Sequence, residues 1–468
     1  MYIGMTAGIF LVFLILAYIE RTKKLKDHIG TPNSVGFWKL LSTLLATAVG
    51  GGLIFGLIGF GQAYGSIGVL LGVVYCISFI ALGLLSRQIR SFANNFKKDG
   101  IVDNDGEISI PYILAKKYNR PTWGIISFTY AIIYVGFLAA QYIAITKIIA
   151  ALGVNINQES LIIASAFLVL VYVSLGGFIA VLKTDIVQLI IIGIILTFGV
   201  ALFFAEGVPD TTKLPNSYWD PFANEKIVSY FVWLAIFVFP SLLLRLDHWQ
   251  RIVTAKTDAV ARNAYISSGV LLFVVFLVLI MVGAYSTMAE NPDPFWLYKK
   301  YLLIEESFGL SFLYGFAFMA FLAAIISSAD TILNSISAFL SQTATAWGII
   351  KTEKSLPAIL ANIAVTLFAL VLALTIKEVV PLIVEGFKAV TILLPAIVAA
   401  LIFKKPNSTA ATVSLVGGLL TYLVVKFLWA DVTNWAYVIA FFVSFVSLLL
   451  VCKFEGELEK LRLTRRST

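Results

Sequence analysis

Long apolar runs separated by short polar stretches make up most of this chain. A helix that spans a bilayer needs about 20 mostly apolar residues. Thirteen runs of that kind lie near residues 2–19, 37–60, 65–86, 123–152, 159–177, 184–205, 226–249, 264–288, 309–345, 356–376, 381–403, 409–429 and 434–452. The pattern predicts an all-α integral membrane protein with about 13 transmembrane helices. The longest interruption, 87–122, is only about 36 residues, so 1–468 reads as a single membrane domain ending in a charged tail, 453–468. The first run, within 1–20, is followed by charge and lacks a small-residue cleavage site, which predicts an extra N-terminal helix rather than a removed signal peptide. Asp103-Asn104-Asp105-Gly106 in the long loop reads as a turn; for a calcium loop the ligand spacing stops too soon.

Two of the runs are internally broken by residue type. Gly50-Gly51-Gly52, followed by Gly56, Gly59 and Gly61, makes a poor continuous helix, since each interior glycine costs about 1 kcal/mol. In the seventh run Pro240 removes a backbone donor. These runs are five helices apart and head in opposite directions. Such a pair points to an inverted five-plus-five repeat with its site near the midplane, here 37–205 and 226–405, followed by two C-terminal helices in 409–452. Glycine-mediated packing and a proline kink are the plainer explanations of the same residues.

Composition sharpens the class. The chain is 60% hydrophobic and only 13% charged, about half the charged share of a soluble domain. Two cysteines in separate runs and two isolated histidines supply neither a disulfide framework nor a metal-ligand spacing. The net charge of +8 is not a nucleic-acid footprint, because it sorts by loop. One alternate set carries Arg21, Lys23, Lys24, Lys26, Arg87, Arg90, Lys97, Lys98, Lys116, Lys117, Arg120, Lys183, Arg251, Lys256, Arg262, Lys351, Lys354, Lys404, Lys405 and the tail arginines. The other set holds Glu206, Asp210, Asp220, Glu290, Asp293 and Glu306. The positive-inside rule then places the chain in the inner or plasma membrane with its N-terminus outside and its C-terminus in the cytoplasm.

Polar groups within apolar runs are costly and mark function. In Ala323–Thr331, the residues Ser327, Asp330 and Thr331 fall on one helical face. Their oxygens suit a hard cation, or else an interhelical hydrogen-bond cluster. Asp185 opens the sixth run, where an acid also favours the helix dipole. Glu385 and Lys388, at i and i+3, read as a salt pair, and Lys147 and Lys426 as snorkelling cations.

These residues fall into recognisable motifs. Gly176-Gly177, Ala180-Val181, Thr184-Asp185 and Gln188 resemble the first signature of the sodium/solute symporter family, which includes the sodium/proline, sodium/galactose and choline carriers. Gln250-Arg251 with Ala255-Lys256 and Ala261-Arg262 is similar to its second signature, and Ala324 to Thr331 to its eighth core helix. The resemblance covers roughly 37–405. It implies the inverted-repeat fold of the leucine-transporter type with extra helices, and Na+ as coupling ion. It also implies a shared sodium site at Ala46, Val49, Ala324, Ser327 and Ser328, and a second sodium held by Asp185 with Ser327, Asp330 and Thr331.

The expected substrate floor is Gly50, Gly51, Gly52 and Leu53. Leu53 stands where sugar carriers contact their sugar, which disfavours a sugar. Ala48 replaces the tryptophan of choline carriers and removes a cation–π partner, while unwound glycine N–H groups suit a carboxylate. The sequence therefore favours sodium-coupled import of an amino acid or other small carboxylate by alternating access, with solute, sodium and lipid as partners. A choline-type cation carrier, a transporter-like sensor without net transport and a membrane-embedded enzyme are the alternatives; no nucleophile–base pair supports the last.

Overall fold

The computed structural model describes residues 2–22, 24–30, 33–98, 117–151, 157–206, 220, 222, 225–287, 300, 308–350, 354–403, 405–429 and 435–466. The Asp103–Gly106 turn and the acids Asp210, Glu290, Asp293 and Glu306 lie outside them. The described residues form helices and no strand ladder. Their helices are α1 (Tyr2–Ile19), α2 (Leu25–Ile29), α3 (Phe37–Ala48), α4 (Gly51–Tyr64), α5 (Val69–Lys98), α6 (Arg120–Ala151), α7 (Gln158–Glu206) and α8 (Glu225–Leu243). Then follow α9 (Leu246–Thr254), α10 (Asp258–Ser286), α11 (Phe308–Ala346), α12 (Leu356–Ile376), α13 (Val379–Ile392), α14 (Leu394–Ile402), α15 (Ser408–Leu428) and α16 (Ala436–Arg466).

Eight helices among the described residues are long and apolar enough to cross a membrane, or nine if the bent pair α13 and α14 is one span. The thirteen runs of the sequence differ from this count for identifiable reasons. The helix α3 stops after 12 residues because the chain breaks behind it. Two of the runs are fused in α7, which is interrupted at Gly177, where φ is +54° and only glycine is unstrained.

The breaks are where chemistry is positioned. The first lies at Val49–Gly50, with Gly50 extended, and joins α3 to α4. The second is not at Pro240: that residue sits inside α8, which continues one more turn before Leu244–Arg245 separates it from α9. Proline frees the carbonyl one turn before it, yet the Leu244 N–H still bonds the Pro240 carbonyl at 3.1 Å, so the helix survives past the proline. A third break, at Leu393, bends α13 from α14 by 43°. It follows from Pro395 near the start of α14, a signal the hydropathy pattern does not isolate.

The inner helices are sheathed. Helix α11 is buried along most of its length and packs against α6 and α7, while α12 and α15 expose large apolar side chains such as Phe368 and Leu423. Large apolar side chains on the outermost helices are expected when lipid is the solvent. At one end the segment before α3 zips onto the segment after α9, with Val35 N–H to Thr254 O at 2.9 Å and Lys256 N–H to Val35 O at 2.7 Å. Arg90 of α5 locks this end. It donates to the carbonyls of Ile252 (3.0 Å), Val253 (3.2 Å) and Ala255 (2.5 Å), to Asn33 Oδ1 (2.6 Å) and to Asp258 (2.6 Å). The sequence counts Arg90 among loop cations; the fold makes it a buried clamp.

Candidate functional site

Helix α3 ends at Ala48, so the carbonyls of its last turn leave the helical ladder and face whatever packs beside them. That neighbour is α11. Ser328 Oγ donates to the Thr47 carbonyl at 2.6 Å. A methyl group on Gly50 would collide with Ser328 Oγ and reach within 2.6 Å of its Cβ, so glycine is required there for close approach. Ala46, Val49, Ala324, Ser327 and Ser328 are all buried around this junction. Ser327 Oγ turns the other way and donates to Asp185 Oδ1 at 2.5 Å. The break thus collects carbonyl and hydroxyl oxygens, the donor set of a hard monovalent cation. No cluster of three or more His, Cys, Asp or Glu residues that could hold a metal occurs among the described residues.

The glycine run divides in role. The Gly51 N–H is committed to Gln141 Oε1 of α6 at 2.9 Å, and a methyl there would meet Ala144. Gly50 and Gly51 are therefore packing positions in this state, whereas Gly52 and Leu53 face a cavity of about 60 Å³ with Tyr75, Phe276, Ile383 and Phe387. At about 15 Å³ per water this holds roughly four molecules. Its walls are apolar side chains and the backbone of α4.

A second cavity of about 20 Å³, which shares Tyr75 with the first, touches both breaks between Thr47, Ala48, Arg245, Asp247 and Arg251. Here the structure supplies residues that sequence reasoning missed. Arg245 caps the second break and grips Asp247 in a bidentate pair, Nε to Oδ1 at 2.9 Å and Nη2 to Oδ2 at 3.0 Å. Tyr134 donates to Asp247 at 3.1 Å and accepts the Leu246 N–H at 2.8 Å, while Tyr130 donates to the Leu244 carbonyl at 3.0 Å. Tyrosines from α6 thus satisfy the backbone groups that the break exposes.

Arg251 is the largest departure from the sequence reading. Placed there among loop cations, it is 1% exposed and central. Its Nη2 donates to Thr43 (2.7 Å), Thr47 (2.8 Å) and Thr331 (2.8 Å), and lies 3.9 Å from Asp185 Oδ2. Nε also bonds Thr43 at 3.0 Å, and Nη1 lies 3.8 Å from Asp247. The signal that would have found it is Asp247 and Arg251 at i and i+4 on a helix rather than in a loop. Asp185 further accepts from Thr43.

Asp330 is brought to the same region but keeps a different partner, accepting from the Tyr172 hydroxyl of α7, with Oδ1 unpartnered. Thr331 bonds Thr47 at 3.0 Å. Of the four residues expected around a second sodium, Ser327 bonds Asp185 and Arg251 stands between Thr331 and Asp185, while Asp330 turns to Tyr172.

Farther out, Glu385 does pair with Lys388 at 3.0 Å, and it also holds Lys426 at 3.2 Å and Tyr422 at 2.5 Å. Lys426 is thus a tether between α13 and α15 rather than a snorkelling cation. Lys147 lies 4.0 Å from Glu378.

No protein-family profile and no curated protein matches the chain. Solved structures do. A substrate-bound, outward-open Na+-coupled sialic acid symporter superposes with a TM-score of 0.73 at 15% identity, covering 97% of this chain and 98% of that one. A mutant of the manganese transporter of Eremococcus coleocola gives 0.58 at 11% identity, with 92% and 98% covered. Mhp1, a nucleobase-cation-symport-1 family transporter in a closed conformation with bromovinylhydantoin bound, gives 0.54 at 13% identity, with 93% and 94% covered. At such identities the likeness establishes the fold, an all-helical membrane architecture of the leucine-transporter type.

Proposed function

We propose that this protein is a sodium-coupled secondary symporter that imports a small organic solute, an amino acid or other small carboxylate, by alternating access. The observation that carries the reading is the junction of Ser328 with the broken end of α3. In this reading sodium is held by the carbonyls of Ala46, Val49 and Ala324 and the hydroxyls of Ser327 and Ser328. Binding there ties the first core helix to α11 and stabilises one arrangement of the two, which is how an ion with differential affinity shifts a conformational equilibrium. Gly52 and Leu53 contact the apolar part of the solute, beside the small polar cavity lined by Arg245, Asp247 and Arg251. Both named cation symporters among the structural neighbours support the class, and their unlike ligands leave the solute to be settled by this chain's own residues.

The test is uptake into proteoliposomes across a solute panel with and without sodium. Ser328→Ala removes one ligand and should raise the half-saturating sodium concentration at least about tenfold, the scale of a charge-assisted bond of about 1.5 kcal/mol. Solute affinity at saturating sodium should change far less. Sodium-independent uptake by the parent protein would sink the coupling mechanism, and solute binding without counterflow would make the protein a sensor.

We further read the chain as thirteen spans in two inverted repeats, 37–205 and 226–405, with the N-terminus outside and the C-terminus in the cytoplasm. The two breaks, at 49–50 and 244–245, support the repeat. In a background lacking the free thiols of Cys76 and Cys452, a cysteine replacing Asn216 should react with an impermeant reagent from outside and one replacing Asn95 should not. The reverse labelling would invert the topology.

A further inference from the structure

We propose that Arg251 is the resident cation of the oxygen cage formed by Thr43, Thr47, Thr331 and Asp185, and that it takes the place of a second sodium, leaving one sodium per solute. This rests on the sodium-coupled reading above.

The geometry argues the substitution directly. Three hydroxyl oxygens surround Arg251 Nη2 at 2.7, 2.8 and 2.8 Å, with Asp185 Oδ2 at 3.9 Å behind them. Hydroxyls from two helices and a buried carboxylate are what a desolvated alkali cation needs. A sodium bound by this set would occupy the volume of Nη2 itself. The two cations exclude each other sterically, and repulsion between two positive charges a few ångströms apart adds to the exclusion.

The guanidinium is also firmly placed. Its Nε shares Thr43 at 3.0 Å, and Nη1 approaches the carbonyl and carboxylate of Asp247 at 3.4 and 3.8 Å. Arg251 lies between Asp185 and Asp247, and Arg245 pairs with Asp247, with all four side chains largely or wholly buried. Asp330, which the family resemblance assigns to the same ion, accepts from Tyr172 through Oδ2 and leaves Oδ1 unpartnered.

The consequence is energetic. One ion entering down about 100 mV and a tenfold gradient supports roughly 500-fold solute accumulation, whereas two would approach about 10⁵-fold. A fixed cation therefore lowers the ceiling of the pump while preserving the helix bridge that a second ion would make.

The experiment counts sodium ions bound to the purified full-length protein in lipid nanodiscs by equilibrium dialysis with radioactive sodium. The parent should bind one ion with a Hill coefficient near one. Arg251→Gln should bind two, with the coefficient rising above one, and adding Asp185→Asn to it should return the count to one. Two ions on the parent would overturn the proposal, as would a single ion on folded Arg251→Gln. If that variant does not fold, the sodium-to-solute flux ratio of the parent decides: one supports the resident arginine and two overturns it. No ion on the parent but one on Arg251→Gln would uphold the cage and remove the shared site of the preceding reading. No sodium on either would overturn both.

Discussion

Asp247→Asn should destabilise the protein by about 3–5 kcal/mol, the cost of stripping one partner from a buried ion pair. Asp247 is buried, and its carboxylate receives both bonds of Arg245, the Tyr134 hydroxyl at 3.1 Å and the approach of Arg251 at 3.8 Å. Asparagine keeps the shape and one acceptor but strips buried Arg245 of its paired carboxylate and Arg251 of one of its two neighbouring acids. The measurement is thermal unfolding of the purified variant in detergent, compared with Asp247→Asn combined with Arg245→Gln. Removing both charges of the pair should recover most of the loss, because the penalty comes from the unpaired cation rather than the missing bond. If the single variant melts with the parent, the small cavity beside Arg245 admits enough water to solvate the charge, and the cluster is not a structural core.

The second large effect is expected at Gly50. Replacement by valine places a branched side chain where the first carbon already overlaps Ser328 Oγ. Packed interiors do not absorb such an overlap by small adjustments, so α3 and α11 must separate at the carbonyls assigned to sodium. Sodium-dependent uptake should fall by on the order of 100-fold, since a ligand set displaced by about an ångström loses its geometry. Gly50→Ala with Ser328→Gly separates the causes. It should restore thermal stability by giving the methyl group room, while sodium dependence stays lost for want of the serine hydroxyl. Uptake by Gly50→Val equal to the parent's would show that the two helices are not fixed against each other here. Gly51→Val is a less selective probe than the glycine run alone implies, because its first contact is Ala144 on α6.

Membership in the polar centre was legible in the sequence where a costly residue stood inside an apolar run. Asp185, Ser327, Asp330 and Thr331 could be singled out on that ground, Ser328 only through the family resemblance, and the structure brings all of them to one region of α7 and α11. Partners were not legible. Thr43 and Thr47 are unremarkable threonines in an apolar stretch, and Tyr172 and Gln141 sit in runs whose polarity draws no notice. Their roles arise only when helices distant in sequence meet, as with Thr43 and Asp185, 142 residues apart.

Arg251 marks the boundary between the two kinds of information. Its sequence neighbourhood, rich in charge and close to Lys256 and Arg262, is that of a loop, and charge counting assigns it there. The chain alone determined that lipid is the solvent, which runs are helical, and that glycine interrupts the second apolar run, where α3 gives way to α4. Those follow from transfer free energy and backbone sterics, which act locally. Only the tertiary structure decided where the second helix breaks, which glycines face a cavity, and that an arginine lies among the oxygens expected to hold an ion. Those outcomes depend on which surfaces α6, α7 and α11 present to the two broken helices, and a pairing between residues a hundred or more positions apart leaves no periodicity in the sequence to read.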